Sequence, residues 1–103
     1  MKPTDRVLVT ALDQRQTLLA WARSLPQGAL VGLGTEYQVR AARRACAASN
    51  NVMFVVGHRA EIPWQELWFD LIIDDDPLTA TSEMVRVLVP EGRIVTPADL
   101  ASE

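Results

Sequence analysis

Cysteine is nearly absent. Cys46 is the only one in 103 residues, so no disulfide can form within the chain, and it has no metal-ligand company. That usage fits a reducing, cytoplasmic setting. No apolar run approaches the ~18 residues that a membrane span requires. The opening Met1-Lys2-Pro3-Thr4-Asp5-Arg6 contains no apolar segment of signal type. An excess of positive charge is also missing. Ten basic residues stand against thirteen acidic ones, a net charge of −3, which argues against a nucleic-acid partner. Glycine is scarce, with five in all, and the turn at 10–15 after the first apolar run holds none. What remains is an ordinary globular composition: 49% apolar residues and no low-complexity segment. A single domain over 1–103 is expected, burying somewhat over ~60% of its unfolded surface.

Apolar runs alternate with helical periods, the pattern of a wound α/β sheet. Residues 7–10 read as a short buried strand. Asp13 suits the cap of the next helix, with Gln16 as reciprocal partner, and Leu18, Trp21, Ala22 and Leu25 form its apolar stripe. Pro26-Gln27-Gly28 ends it, and 29–33 is the second strand. Thr35 and Gln38 predict a capping box for a helix over 36–49. Val39, Ala42 and Cys46 face inward there with Ala45 beside them, while Arg40, Arg43 and Arg44 lie outside. Asn50-Asn51 closes that helix. The run at 52–56, apolar on both faces, reads as an interior strand of a parallel sheet. A loop at 57–67 with about one helical turn leads to a fourth strand at 69–73. Asp76 and Pro77 suit the cap and first position of a helix whose stripe is Ala80, Met84, Val87 and Leu88. Pro90-Glu91-Gly92 is a turn, 93–96 the fifth strand, and the residues from about 97 a tail.

Three stretches carry a family resemblance. Phe54-Val55-Val56-Gly57-His58, Phe69-Asp70-Leu71-Ile72-Ile73 and Leu88-Val89-Pro90-Glu91-Gly92-Arg93 occur in the order and spacing of a known core. Together they resemble the class I S-adenosylmethionine-dependent methyltransferases, across most of the chain. The resemblance implies a three-layer, Rossmann-like α/β fold. Its five-stranded, all-parallel sheet would have the order 3-2-1-4-5. Right-handed crossovers would place the first two helices on one face and the next on the other. It also implies a cofactor site at the strand ends, at the places of Ala11, Asp13, Arg15, Gly34, His58 and Asp74.

The cofactor chemistry departs from the family. The family pattern wants an acid where Val9 stands and glycines where Ala11, Asp13 and Arg15 stand. Side chains at left-handed positions cost ~1–2 kcal/mol each. Gly34 occupies the place of the acid that would hold the ribose, a loss of ~1.5–3 kcal/mol per hydrogen bond. His58 replaces an adenine-side acid. The expectation is therefore a degenerate, non-catalytic domain without a bound cofactor. The alternative is an S-adenosylmethionine-dependent methyltransferase with an altered or partner-completed site. A third reading is a small-molecule or metal-binding sensor.

The chain is also shorter than the family pattern, lacking its C-terminal antiparallel strand pair. That predicts self-association, as a homo-oligomer or dimer, or a protein partner. The contacts would be the fifth-strand edge, from Arg93 to Thr96, and the face of the Met84 helix. The acids Asp13, Asp74, Asp75 and Asp76 gather with His58 at the strand ends. They read either as a metal or acid–base cluster, or as helix caps (Asp13, Asp76) and solvated turn acids (Asp74, Asp75). Trp64 and Trp68 either line a binding surface or pack the loop on the sheet. Arg40, Arg43 and Arg44 form a phosphate contact or a solvated face with Arg40 paired to Glu36.

Overall fold

The computed structural model describes residues 1–10, 12 and 15–101, with Arg15, Gln16, Pro77 and Ala101 as backbone alone. Ala11, Asp13 and Gln14 lie outside the described residues, and with them the expected Asp13 cap. Period-two burial builds the sheet. Val7 and Val9 point to one side and Leu8 to the other, all fully or almost fully buried. The strands are β1 (Arg6–Val9), β2 (Ala29–Gly34), β3 (Val52–Val56), β4 (Phe69–Ile73) and β5 (Leu88–Val95). They pair in parallel in the order β3-β2-β1-β4-β5, as the sequence predicts.

The helices α1 (Arg15–Arg23), α2 (Glu36–Ala45) and α4 (Pro97–Ala101) contribute to one layer, where Leu18, Ala22, Val39 and Ala42 meet Val7, Leu30, Leu71 and Ile73. Helix α3 (Ser82–Val87) lies on the other face, with Met84 and Val87 on Leu8, Val31, Phe69 and Ile72. Each fully buried side chain of this size contributes ~1.5–3 kcal/mol, so both layers are held mainly by apolar burial. No helix among the described residues is long and apolar enough to cross a membrane.

The capping box of α2 forms as expected, Thr35 Oγ1 accepting from the Gln38 amide at 3.2 Å and Gln38 Oε1 from the Thr35 amide at 2.9 Å. The helix ends at Ala45, earlier than expected, with Cys46 as its C-cap and Ala45 exposed rather than inward. Asn51 does not simply close α2. Its amide donates to the Ala22 and Leu25 carbonyls at 2.9 and 2.8 Å, satisfying orphan acceptors at the end of α1. β3 is an edge strand, as the expected order requires, with Met53 and Val56 more than half exposed, so the reading of 52–56 as an interior strand does not hold; a short apolar run does not report whether a second neighbour exists.

The 57–67 loop has an antiparallel bridge between His58 and Glu61 instead of a helical turn. Asp76 precedes a 3-10 turn, Pro77–Thr79, and makes no side-chain cap bond. α3 starts after Thr81, whose hydroxyl accepts from the Met84 amide at 3.1 Å. Ala80 is exposed outside the helix, and Leu88 already belongs to β5. Pro90-Glu91-Gly92 bows out of register inside β5, Phe69 pairing with Leu88 and Leu71 with Arg93. The expected tail is α4. Thr96 and Asp99 cap it reciprocally at 3.0 and 3.1 Å, and Leu100 packs on the core.

Candidate functional site

In open α/β sheets the carboxyl ends of the strands are where ligands bind. Here that rim is built from Thr10, Gly34, Gly57 and Asp74. Asp74 follows β4 and is 3% exposed. Its carboxylate accepts from Arg59 Nε at 3.1 Å and Arg59 Nη2 at 2.9 Å, from the Asp76 amide at 3.0 Å, and from the Thr10 hydroxyl. Those bonds use the roughly four lone-pair directions that a carboxylate has. Burial alone would push the Asp74 pKa up. The hydrogen bonds from Thr10, Arg59 and the Asp76 amide, together with the Arg59 charge, outweigh it and hold the group below the ordinary aspartate range.

Arg59 reaches this position because its loop is fastened at several points. Its guanidinium also donates to the carbonyls of Asp76 at 3.3 Å and Thr79 at 3.1 Å, and its own carbonyl accepts from the Thr81 hydroxyl. Further along the loop, α3 grips the backbone of Ile62. The Ile62 amide donates to Glu83 at 3.0 Å and its carbonyl accepts from Arg86 at 2.8 Å. Glu83 and Arg86 are themselves paired at 2.6 Å. The bonds from Arg86 and from the Ile62 amide keep the Glu83 carboxyl below its usual range.

Beside this latch an open groove of about 780 Å³ lies between the ends of β2 and β3. Its lining includes Gly34, Thr35, Val56, Gly57, His58 and Pro63, with Glu36 and Glu61 on its rim. His58 is exposed, and its Nδ1 accepts from the Ala60 amide at 3.1 Å. Gly34 lies under two side chains. A Cβ there would stand 2.7 Å from Gln38 Oε1 and 3.0 Å from a methyl of Leu12. Leu12, 3% exposed, also fills the space over Gly32, where a Cβ would meet it at 2.5 Å and the Phe54 ring at 2.6 Å.

The expected site residues therefore separate. Gly34 and His58 line the groove, whereas Asp74 is sealed in the Arg59 latch. Of the cofactor-loop positions, Ala11 and Asp13 lie outside the described residues, and so does the Arg15 side chain. Asp74 is a buried ion-pair member and not a solvated turn acid, while Asp75 and Asp76 are exposed. His58 makes no bond to Asp74, so no acid–base pair forms between them. Among the described residues no group of three His, Cys, Asp or Glu side chains is placed to hold a metal.

Trp64 and Trp68 pack edge to face with centroids 5.1 Å apart, and Trp68 meets Phe69 at 4.9 Å, with Arg6 stacked on it at 4.7 Å. This is the packing alternative. Arg40 pairs with Glu36 at 2.6 Å as expected, but Arg43 bends back to the Phe54 carbonyl at 3.2 Å. Met84 itself is wholly buried, and the outward side of its helix carries the exposed Val85. Arg59 was not among the expected residues. The signal available for it was a strand-end acid that needed a cation, with one arginine in the preceding loop.

No family model matches the sequence, and no curated protein matches it. Solved structures match the fold closely. Geranyl diphosphate methyltransferase in complex with SAM superposes with a TM-score of 0.78 at 15% identity, covering 93% of this chain and 42% of that one. A complex of the Haloferax volcanii Trm112 methyltransferase activator with a candidate methyltransferase gives 0.74 at 24% identity, covering 91% and 44%. The [4+2]-cyclase SpnF gives 0.74 at 24% identity, covering 92% and 39%. The chain thus spans about two fifths of the length of these structures. The likeness establishes its architecture: a Rossmann-like core of the class I methyltransferase type.

Proposed function

We propose that this chain is a methyltransferase-fold binding domain that does not itself transfer methyl groups, and that it acts by associating with protein. The carrying observation is the Asp74 carboxylate. All of its acceptor directions are taken from within the chain, so it has none to offer a ligand. The crowding over Gly34 supports the same reading, since an acid seated there would have to move the Gln38 amide that caps α2 and shift a Leu12 methyl. The residues at the strand ends therefore do not fit a conventional S-adenosylmethionine site. Fold alone does not fix chemistry. One neighbour on this architecture is a [4+2]-cyclase by name.

A thermal-shift titration with S-adenosylmethionine and S-adenosylhomocysteine tests the proposal. A ligand at a hundredfold its dissociation constant adds ~2.7 kcal/mol, which for a domain of this size is a rise of roughly 10–20 °C. No shift is expected. A saturable rise with either compound would overturn the proposal.

A second reading is favoured by one feature, the open groove at Gly34 and His58 with Glu36 and Glu61 on its rim. On that reading the chain binds the cofactor in an altered mode, or a partner protein completes the site. The activator bound to the Haloferax neighbour is a precedent for the latter. Repeating the titration with a captured partner present separates the two readings.

A further inference from the structure

The charges of this chain are segregated. Between residues 14 and 60 stand Arg15, Arg23, Arg40, Arg43, Arg44 and Arg59, with Glu36 as the one acid. From 61 to 103 ten carboxylates stand with Arg86 and Arg93. The fold keeps α2 and α3 apart in space, although Arg59 crosses to the Asp74–Thr79 turn and α4 shares the layer of α2. α2 lies on one face of the sheet by the β3 edge, and α3 lies on the opposite face.

The large exposed apolar residues divide in the same way. Tyr37 (81% exposed), Met53 and Val56 are on the basic side. Leu78 (97%), Val85 (62%) and Leu67 are on the acidic side. Tyr37, Arg40 and Arg44 line one groove of about 520 Å³ floored by Ala41 and Ala45. Arg40 is paired with Glu36 at i,i+4 in an exposed interaction weak enough to exchange partners. On the acidic side Leu78 follows the exposed Asp75 and Asp76, Val85 lies on α3, and Leu67 donates its amide to Arg86 at the end of that helix at 2.9 Å.

We propose that the chain associates head to tail with a second copy of itself, the Tyr37–Arg40–Arg44 groove of one copy receiving the Asp75–Asp76–Leu78 turn and α3 flank of the next. This deepens the association part of the proposed function and rests on it. Opposite charge and apolar anchors on both surfaces are what an interface between unlike patches requires. Because the two patches differ, the contact is heterologous, and copies add in rings or open chains instead of stopping at a two-fold dimer.

Sedimentation velocity tests this with wild type, Arg40→Glu/Arg44→Glu, and Asp75→Lys/Asp76→Lys, each checked for folding by circular dichroism. Asp76 makes no side-chain cap bond, and the arginines are exposed, so folded variants are expected. At ~0.05 M salt, wild type should exceed its 11.4 kDa chain mass. Its mass should keep rising with concentration and fall back at ~0.5 M salt, where screening is stronger. Each reversed variant alone should stay at monomer mass, its self-association weakened by more than ~100-fold. In an equimolar mixture of the two variants both contacts between unlike copies are again acid to base, the untouched pair and the doubly reversed pair, so alternating copies assemble and the mass rises with concentration above that of either variant alone.

A wild type that is monomeric throughout overturns both this surface and self-association. An oligomer that survives both reversals, but dissociates on Arg93→Asp at the β5 edge, overturns this surface and leaves self-association standing. Tyr37→Ala and Leu78→Ser give a second, uncharged pair of variants. Both should weaken the association, and an unchanged oligomer in both contradicts the proposal.

Discussion

Replacing Arg59 with alanine strands a buried anion. Asp74 is 3% exposed and Arg59 supplies two of its hydrogen bonds and its counter-charge. Removing one partner of a buried pair costs ~3–5 kcal/mol. Here the Thr10 hydroxyl and the Asp76 amide remain, and the Arg59 side chain is 27% exposed, so water can enter the space it leaves. The expected loss is therefore smaller, about 2–3 kcal/mol, against a total of ~5–15 kcal/mol for an ordinary domain.

Urea denaturation at pH 7 should show the midpoint lowered by roughly 1–2 M with the slope m unchanged. The pH dependence carries the sign. In the native chain the folded pKa of Asp74 lies below its unfolded value. Its contribution is therefore full above about pH 4 and is lost as pH falls through the folded value. In the variant, burial dominates and raises the folded pKa, so protonation relieves a penalty and the variant gains stability as pH falls. The gap between the two proteins should narrow steadily on acidification, and Asp74→Asn should restore part of the loss in the Arg59→Ala background at pH 7. A loss below ~0.5 kcal/mol at pH 7, or a gap independent of pH, would refute the latch.

Gly32→Ala should lose ~1–3 kcal/mol by crowding Leu12 and Phe54, and that increment should shrink in a Leu12→Ala background, measured by the same denaturation. Leu67 has φ 53° on an exposed position. Leu67→Gly removes ~1–2 kcal/mol of strain and adds ~0.5–1 kcal/mol of unfolded-chain entropy. Its Tm should rise by roughly 3–6 °C, whereas Leu67→Val should lower it. The Cys46 thiol is 4% exposed and its pKa is pushed up by burial, so a thiol reagent should label it slowly in buffer and rapidly in urea. Rapid labelling of the folded chain would contradict that placement.

The sheet order was legible through the family resemblance, and the facing of the first three helices through apolar periodicity and crossover handedness within that order. The α2 capping box and the Glu36–Arg40 pair were legible because they are local. The Arg59 latch joins residues 59 and 74 through a loop whose path no short pattern reports. The edge position of β3 is already contained in the expected order 3-2-1-4-5, and the interior reading of 52–56, which conflicts with that order, arises because Val52 to Val56 is as apolar as an interior strand. α4 was missed although Thr96-Pro97-Ala98-Asp99 carries a cap, a proline at the first helical position and an acid in the first turn. The start of α3 was misplaced because Asp76-Pro77 is a helix-start pattern that here opens only a 3-10 turn, and Thr81 does the capping.

Amide chemical shifts of the isotopically labelled chain, followed while S-adenosylhomocysteine is added to ~1 mM, probe the strand-end cleft most directly. At that concentration only dissociation constants weaker than about 1 mM, near −4 kcal/mol, escape detection. The amides of Leu12, Gly34, Gly57 and His58 are expected to stay where they are. Saturable movement of these four amides, with the Asp76 amide released from Asp74, would contradict that expectation.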